Sequence, residues 1–276
     1  MSDQQTPQVA IRFQRRDTRQ GFLWLRRAYA MFRAAPLPWL FLLAVYYAFA
    51  ALAELGPWPS IGKLAASVLK PVFAVGFLAA AWSQERGGRP APADLFRGFR
   101  SNLRALLSLG IVFFCGMMLA VAAATLVDGG VLVDWFSTGE QPTDEVLRSG
   151  RPQLAFLVGS ACALPVLLAL WFAPALVVFQ DAGPLSALWT SLRAALVNWR
   201  PVGVFGLAVF FYGGVLPYLG FALARLLGET AGTVLTLGFV FPYLLAFLAT
   251  FQIADYVAYR DVFHADEPPA VTPLEQ

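Results

Sequence analysis

Residues 103–127 read LRALLSLGIVFFCGMMLAVAAATLV, and between Arg104 and Asp128 there is no charged side chain. A run of about 20 apolar residues crosses the roughly 30 Å hydrocarbon core as a helix, the form in which backbone groups satisfy one another without water. Five further runs of this kind lie at about 36–54, 61–82, 154–179, 202–225 and 233–256. The 276-residue chain is 58% hydrophobic and 13% charged, against about 25% charged in a soluble domain. A water-soluble fold of this size is excluded. The expected class is all-α, a polytopic membrane bundle of six transmembrane helices.

Residues 1–20 are polar and basic, without the apolar stretch and small-residue cleavage site of a secretory signal. The expected organisation is a disordered basic N-terminus (1–17), a six-span membrane domain (18–262) and a disordered C-terminal tail (263–276). Lys and Arg stay in short cytoplasmic loops. Arg12, Arg15, Arg16, Arg19, Arg26, Arg27 and Arg33 precede span one, and Arg86, Arg89, Arg97, Arg100 and Arg104 separate spans two and three. Arg193, Arg200 and Arg260 complete a set of 15 of the 20 basic residues on one side. The opposite loop after span three holds Asp128, Asp134, Glu140, Asp144 and Glu145 against Arg148 and Arg151. Both termini are therefore expected in the cytoplasm of a bacterial inner membrane. The net charge of +3 follows from topology and implies no nucleic-acid partner.

Each odd span is preceded by an amphipathic segment. Phe22, Leu25, Tyr29 and Phe32 recur at helical steps while Arg19, Arg26 and Arg33 recur every seven residues. Phe96, Phe99 and Leu103 accompany Arg97, Arg100 and Arg104, and Leu185, Leu188, Leu192, Leu196 and Trp199 accompany Arg193 and Arg200. Such segments read as helices lying in the membrane interface. Asn102-Leu103-Arg104 and Asn198-Trp199-Arg200 mark two of the junctions. The even spans carry internal prolines, Pro71, Pro174 and Pro242, each expected to free a carbonyl and bend its helix. The unit reads as interfacial helix, outward span, outer turn and bent return span, repeated three times, with an insertion at 128–153 in the middle copy.

The segments Trp24–Pro36, Asp94–Arg104, and Trp171-Phe172-Ala173-Pro174 through Ser186–Arg200 carry a resemblance to a group of uncharacterised bacterial multi-pass membrane proteins. They are also similar to the membrane domain found beside the catalytic domain in some glycerophosphodiester phosphodiesterases. The resemblance covers about residues 20–260 and implies a helical membrane fold without supplying a reaction. Mitochondrial carriers, also built from three two-span repeats, differ in placing charged residues around prolines on their odd spans.

No H-E-x-x-H, G-x-S-x-G or phosphate-cradling glycine loop occurs, and His264 is the one histidine. No catalytic, cofactor or metal residue is expected. Cys115 and Cys162 fall inside spans and read as packing residues. Intramembrane charge is the default pointer to function, which singles out Lys70 with Lys63 behind it. Two readings stand for Lys70: a partner for the carbonyl that Pro71 frees, or a contact for an anion or lipid headgroup. Glu54 and Lys63 are expected to pair across Gly56-Pro57-Trp58-Pro59, Arg225 and Glu229 to pair at the next outer turn, and Asp255 to meet an arginine of the second interfacial segment. Gly116, Ala120 and Ala124 on span three and Gly206, Gly213 and Gly220 on span five read as packing rows. Of eight tryptophans, seven map to interfaces or loops, with Trp171 as a core exception.

Three functional classes follow. A non-catalytic scaffold, regulator or assembly component fits the lack of intramembrane polar groups. A transporter or channel fits the repeats and bent helices, for lipid or apolar cargo rather than ions. An enzyme is the least expected. Expected partners are membrane lipids, anionic on the cytoplasmic side, and a homo-oligomer contact or an unidentified membrane protein.

Overall fold

The computed structural model describes residues 11–55 and 59–264, without the side chains of Glu54, Pro59 and Ser60. The turn at which Glu54 and Lys63 were expected to pair lies outside the described residues, as do 1–10 and 265–276. Every regular element described is helical: α1 (Gln20–Ala34), α2 (Pro36–Glu54), α3 (Pro59–Glu85), α4 (Pro92–Leu95), α5 (Leu103–Asp128), α6 (Val131–Thr138), α7 (Asp144–Arg148), α8 (Arg151–Trp171), α9 (Ala173–Phe179), α10 (Pro184–Val197), α11 (Trp199–Phe210), α12 (Leu216–Leu226), α13 (Glu229–Leu235) and α14 (Phe241–Phe263). A 3-10 turn, Arg97–Arg100, follows α4, and five-residue π turns join α11 to α12 and α13 to α14.

Six stretches among the described residues are long and apolar enough to cross a membrane: Pro36–Ala53, Ile61–Glu85, Leu103–Asp128, Arg151–Phe179, Trp199–Leu226 and Glu229–Phe263. Consecutive spans pair as hairpins, α2 with α3, α5 with α8, and α11–α12 with α13–α14. The core is gathered at the end where α1, α10 and the C-terminal half of α14 meet, here termed basal. Trp24, Leu42, Val72, Phe77, Leu106, Phe172, Leu176 and Ile253 are buried there. Toward the opposite, distal end the third hairpin stands apart. α12 and α13 pack on each other and on the π turns, and no other helix makes a comparable contact with them.

Close backbone approach holds the hairpins together basally. A Cβ on Gly110 would stand 1.9 Å from the Val68 carbonyl oxygen, so α5 can cross α3 at that point only with glycine. The Gly116, Ala120 and Ala124 row on α5 packs against α8, where Gly116 meets the Val166 side chain and Gly159 meets Ala124. In the second row, Gly213 faces the Phe247 ring and Gly220 faces Val240, whereas Gly206 faces open space.

Several expected faces are rotated. On α1 the buried stripe is Trp24, Leu25, Ala28 and Phe32, packed on α11 and α14. Phe22 and Tyr29 are exposed and share the outward stripe with Arg19, Arg26 and Arg33. The second segment is not one amphipathic helix. Asp94 accepts the Ala91 N–H and caps α4, while Gly98 lies against the Val72 carbonyl and Ser101 is extended, so α5 begins afresh at Leu103. α10 buries Ala187, Ser191, Ala194 and Ala195 and turns Leu185, Trp189 and Leu196 outward. Small residues face inward because they permit close packing, and large apolar ones lose nothing by facing lipid. Cys115 and Cys162 are likewise exposed rather than packed.

The prolines behave differently from one another. α3 runs through Pro71 as one helix. Pro174 follows the break between α8 and α9, where Ser191 is inserted: its Oγ accepts the Phe172 N–H at 3.0 Å and donates to the Leu168 carbonyl at 2.9 Å. A hydroxyl placed inside the i→i−4 ladder is a recognised cause of a kink. Pro242 and Pro217 each follow a π turn. The insertion at 128–153 forms α6 and α7, with Asp128 accepting the N–H groups of Gly130 and Leu132.

In residues 11–17 the Gln14 N–H donates to the Val262 carbonyl at 2.9 Å, and Ile11 and Phe13 pack on the core. Substituting Gly110 by Ala should lower the melting temperature in detergent, by an overpacking cost of about 1–3 kcal/mol. Gly203→Ala, where a Cβ meets nothing within 4 Å, should leave it unchanged.

Candidate functional site

α3 residues 70, 74, 78, 81 and 85 fall on one helical face. At the basal end of that face Glu85 is tied to α14, accepting from Arg260 Nε at 2.9 Å and from the Tyr256 hydroxyl. Lys70 lies about 22 Å further along α3 at 1.5 Å per residue, and it is exposed. Its Nζ stands 4.6 Å from the centre of the Phe113 ring on α5. Lys70 makes no ion pair among the described residues.

Asp255 was expected to meet an arginine of the second segment. Its Oδ1 instead accepts the Trp171 indole N–H at 2.8 Å, and that segment's Arg97 is taken by Asp94 at 3.0 Å. Trp171 is stacked on Phe172 and Phe205, with ring centroids 4.7 and 5.3 Å away. The stack fixes the indole so that its N–H points at the carboxylate. One member of this group comes from each hairpin: Lys70 from the first, Trp171 from the second and Asp255 from the third. An ammonium and a carboxylate within spans can hold a polar group against both charges.

Below it the basal end is closed by a denser network. Asp261, 7% exposed, receives Arg16 through both oxygens, Nε at 3.0 Å and Nη2 at 2.7 Å, and the Trp24 indole N–H at 2.9 Å. Buried Asn198 accepts the Arg16 backbone N–H at 2.7 Å and donates to the carbonyls of Gln14 and Ala194. Gln84 accepts the Trp39 indole N–H and donates to the Met31 carbonyl. Trp24 and Trp39 are thus fully buried rather than interfacial, because each indole N–H finds a side-chain acceptor. The two Asn-containing junctions also diverge. Asn102 caps α5 through the Ala105 N–H at 3.2 Å, whereas Asn198 grips the N-terminal segment.

The other expected site residues lie apart. Lys63 is exposed, and Arg19, Arg26, Arg33, Arg97, Arg100, Arg104, Arg193 and Arg200 are all exposed around the basal end. Arg225 and Glu229 make no ion pair among the described residues, their exposed helix ends being separately solvated. His264 lies 3.0 Å from the Tyr259 hydroxyl rather than in a free tail.

Sequence reasoning missed Asp261, Gln84 and Ser191, whose spacing gives no signal. It also missed a signal that is present. Gly213-x-Val215-x-Pro217-Tyr218 recurs as Gly238-x-Val240-x-Pro242-Tyr243, and both copies carry a π turn ending just before the proline. The Tyr212 carbonyl, which Pro217 cannot serve as donor, accepts the Tyr243 hydroxyl at 2.6 Å.

Six apolar spans around a buried polar network define a polytopic helical membrane protein. The chain is 30% identical over 256 residues to a probable inner membrane protein of Burkholderia thailandensis, a match covering 91% of this chain and 93% of that protein. It belongs to that protein's family. No family model matches the sequence, so the likeness to the phosphodiesterase-associated membrane domain has no support there, and no solved structure matches it.

Removing one partner from a buried ion pair strands the other and costs about 3–5 kcal/mol. Asp261→Ala should therefore lower the melting temperature and release residues 11–17. Trypsin cleavage after Arg15 and Arg16, rapid in the variant and slow in the parent, is the measurement.

Proposed function

We propose that this is a bacterial inner-membrane protein that takes up a lipid between its hairpins without catalysing a reaction on it. The observations that carry this reading are Lys70, a charge within an apolar span whose ammonium rests on the Phe113 ring, and Asp255, a carboxylate held by Trp171 between the second and third hairpins. An ionisable side chain within a span is costly and marks a functional site by default, and acyl chains are compatible with the apolar walls around it. A lipid places its headgroup at the charges and leaves its chains among the exposed faces of α5, α8 and α12. An ion or hydrophilic solute would find few groups there to replace its water.

The arginine distribution and the relative's name support the inner membrane, with both termini cytoplasmic and the basal end at the inner leaflet. Reporter fusions in 138–146 and after 264 should fall on opposite sides, the latter cytoplasmic.

Native mass spectrometry of the full chain from a mild detergent tests the site. Lys70→Met and Asp255→Asn should each reduce co-purifying lipid several-fold while Lys63→Met does not. Unchanged lipid in both site variants would defeat the reading.

A second reading, an assembly component, is favoured by the isolated α12–α13 arm, whose Leu219, Leu223, Leu226 and Val234 are exposed. A cysteine at 223 that cross-links in native membranes to one discrete partner would favour it.

A further inference from the structure

At the basal edge, the start of α2 and the loop after α3 enclose an open groove of about 620 Å³, lined by Leu37, Pro38, Leu40, Phe41, Pro90 and Pro92. Half of its lining is proline, which offers no backbone donor, and its walls are almost wholly apolar. Leu37 and Phe41 are 76% and 56% exposed. The groove is also fixed. The Gly88 N–H donates to the Ser83 carbonyl at 2.9 Å, Gly87 turns with φ +80, and the Ala91 N–H is held by Asp94 at 2.9 Å.

Its level is set by the chain. α1 ends at Ala34 and the span begins at Pro36, so the groove opens where headgroups give way to hydrocarbon. Two cations adjoin its lining residues in the chain. Arg33 is four residues before Leu37, in the last turn of α1, and Arg89 directly precedes Pro90. Both are exposed, and neither makes an ion pair among the described residues. An apolar slot with an open side encloses no soluble ligand, but it suits a chain that arrives from the bilayer. Guanidinium groups recognise phosphate through paired N–H donors.

We propose that this groove seats one anionic phospholipid, with an acyl chain along Leu37, Phe41 and the prolines and its phosphate between Arg33 and Arg89. The seat is independent of Lys70, and Lys70→Met leaves it intact.

The test uses the full chain, stripped of lipid in detergent and titrated with phosphatidylglycerol or phosphatidylcholine of identical chains, read by native mass spectrometry. One phosphatidylglycerol should be retained with a preference of about tenfold or more, as two basic contacts imply. Arg33→Gln with Arg89→Gln should abolish the preference, whereas Arg193→Gln with Arg200→Gln should not. Loss in both pairs would mean diffuse attraction to the basic fringe and overturn the proposal, as would loss in neither. A phosphatidylglycerol carrying a photoreactive group in mid-chain provides a readout free of variants. It should label residues 37–41 first, and even labelling over all six spans would refute the site.

Discussion

A carboxylate withdrawn from water at the edge of a bilayer must be neutralised and hydrogen-bonded, and Asp261 meets that condition with a guanidinium fork and an indole N–H. Much of the basal architecture is arranged to deliver those donors. Trp24 has to be buried, which turns α1 inward against α11 and α14. Arg16 has to reach the end of α14, which draws residues 11–17 across the base, where Asn198 grips their backbone. The Glu85 tie to Tyr256 and Arg260 adds the first hairpin to the same corner.

That closure has a counterpart. Polar ties and side-chain burial are concentrated basally, so the distal halves of the spans depend on lipid for their environment. There α5 and α8 stay zipped through Gly116, Ala120, Ala124 and Gly159, and α13 stays close on α12 where Gly232 meets the Ala224 carbonyl. Above the tied base sit the Trp171–Asp255 contact between the second and third hairpins and Lys70 of the first, its ammonium on the Phe113 ring. A movement of any hairpin relative to the others changes what those charges face.

The fold class was legible because the bilayer writes it directly: an apolar run such as 105–127 has one home, and six apolar runs of that length have one architecture. Faces were less legible. In a soluble helix an apolar stripe points to the core, but lipid is as apolar as leucine, so Phe22, Tyr29, Leu185 and Trp189 turn outward while Ala28, Ala187 and Ala194 turn inward. Lys70 could be singled out because charge within an apolar run is conspicuous. Its counterpart Asp255 was placed near a span end from its position in the chain, and its donor Trp171 comes from another hairpin, at a distance no local pattern encodes. Asp261 and Glu85 look like ordinary terminal charges until the tertiary fold removes their water.

The strap across the base joins residues 245 positions apart in the chain, Arg16 and Asp261. At roughly 5–20 residues per second of synthesis, Arg16 emerges from the ribosome about 10–50 s before its acceptor exists. Through that interval the segment can contact only solvent or the bilayer surface, and its arginines suit it to the latter. The base is thus sealed last, after the sixth span has been inserted, and a chain truncated before α14 has nothing with which to seal it.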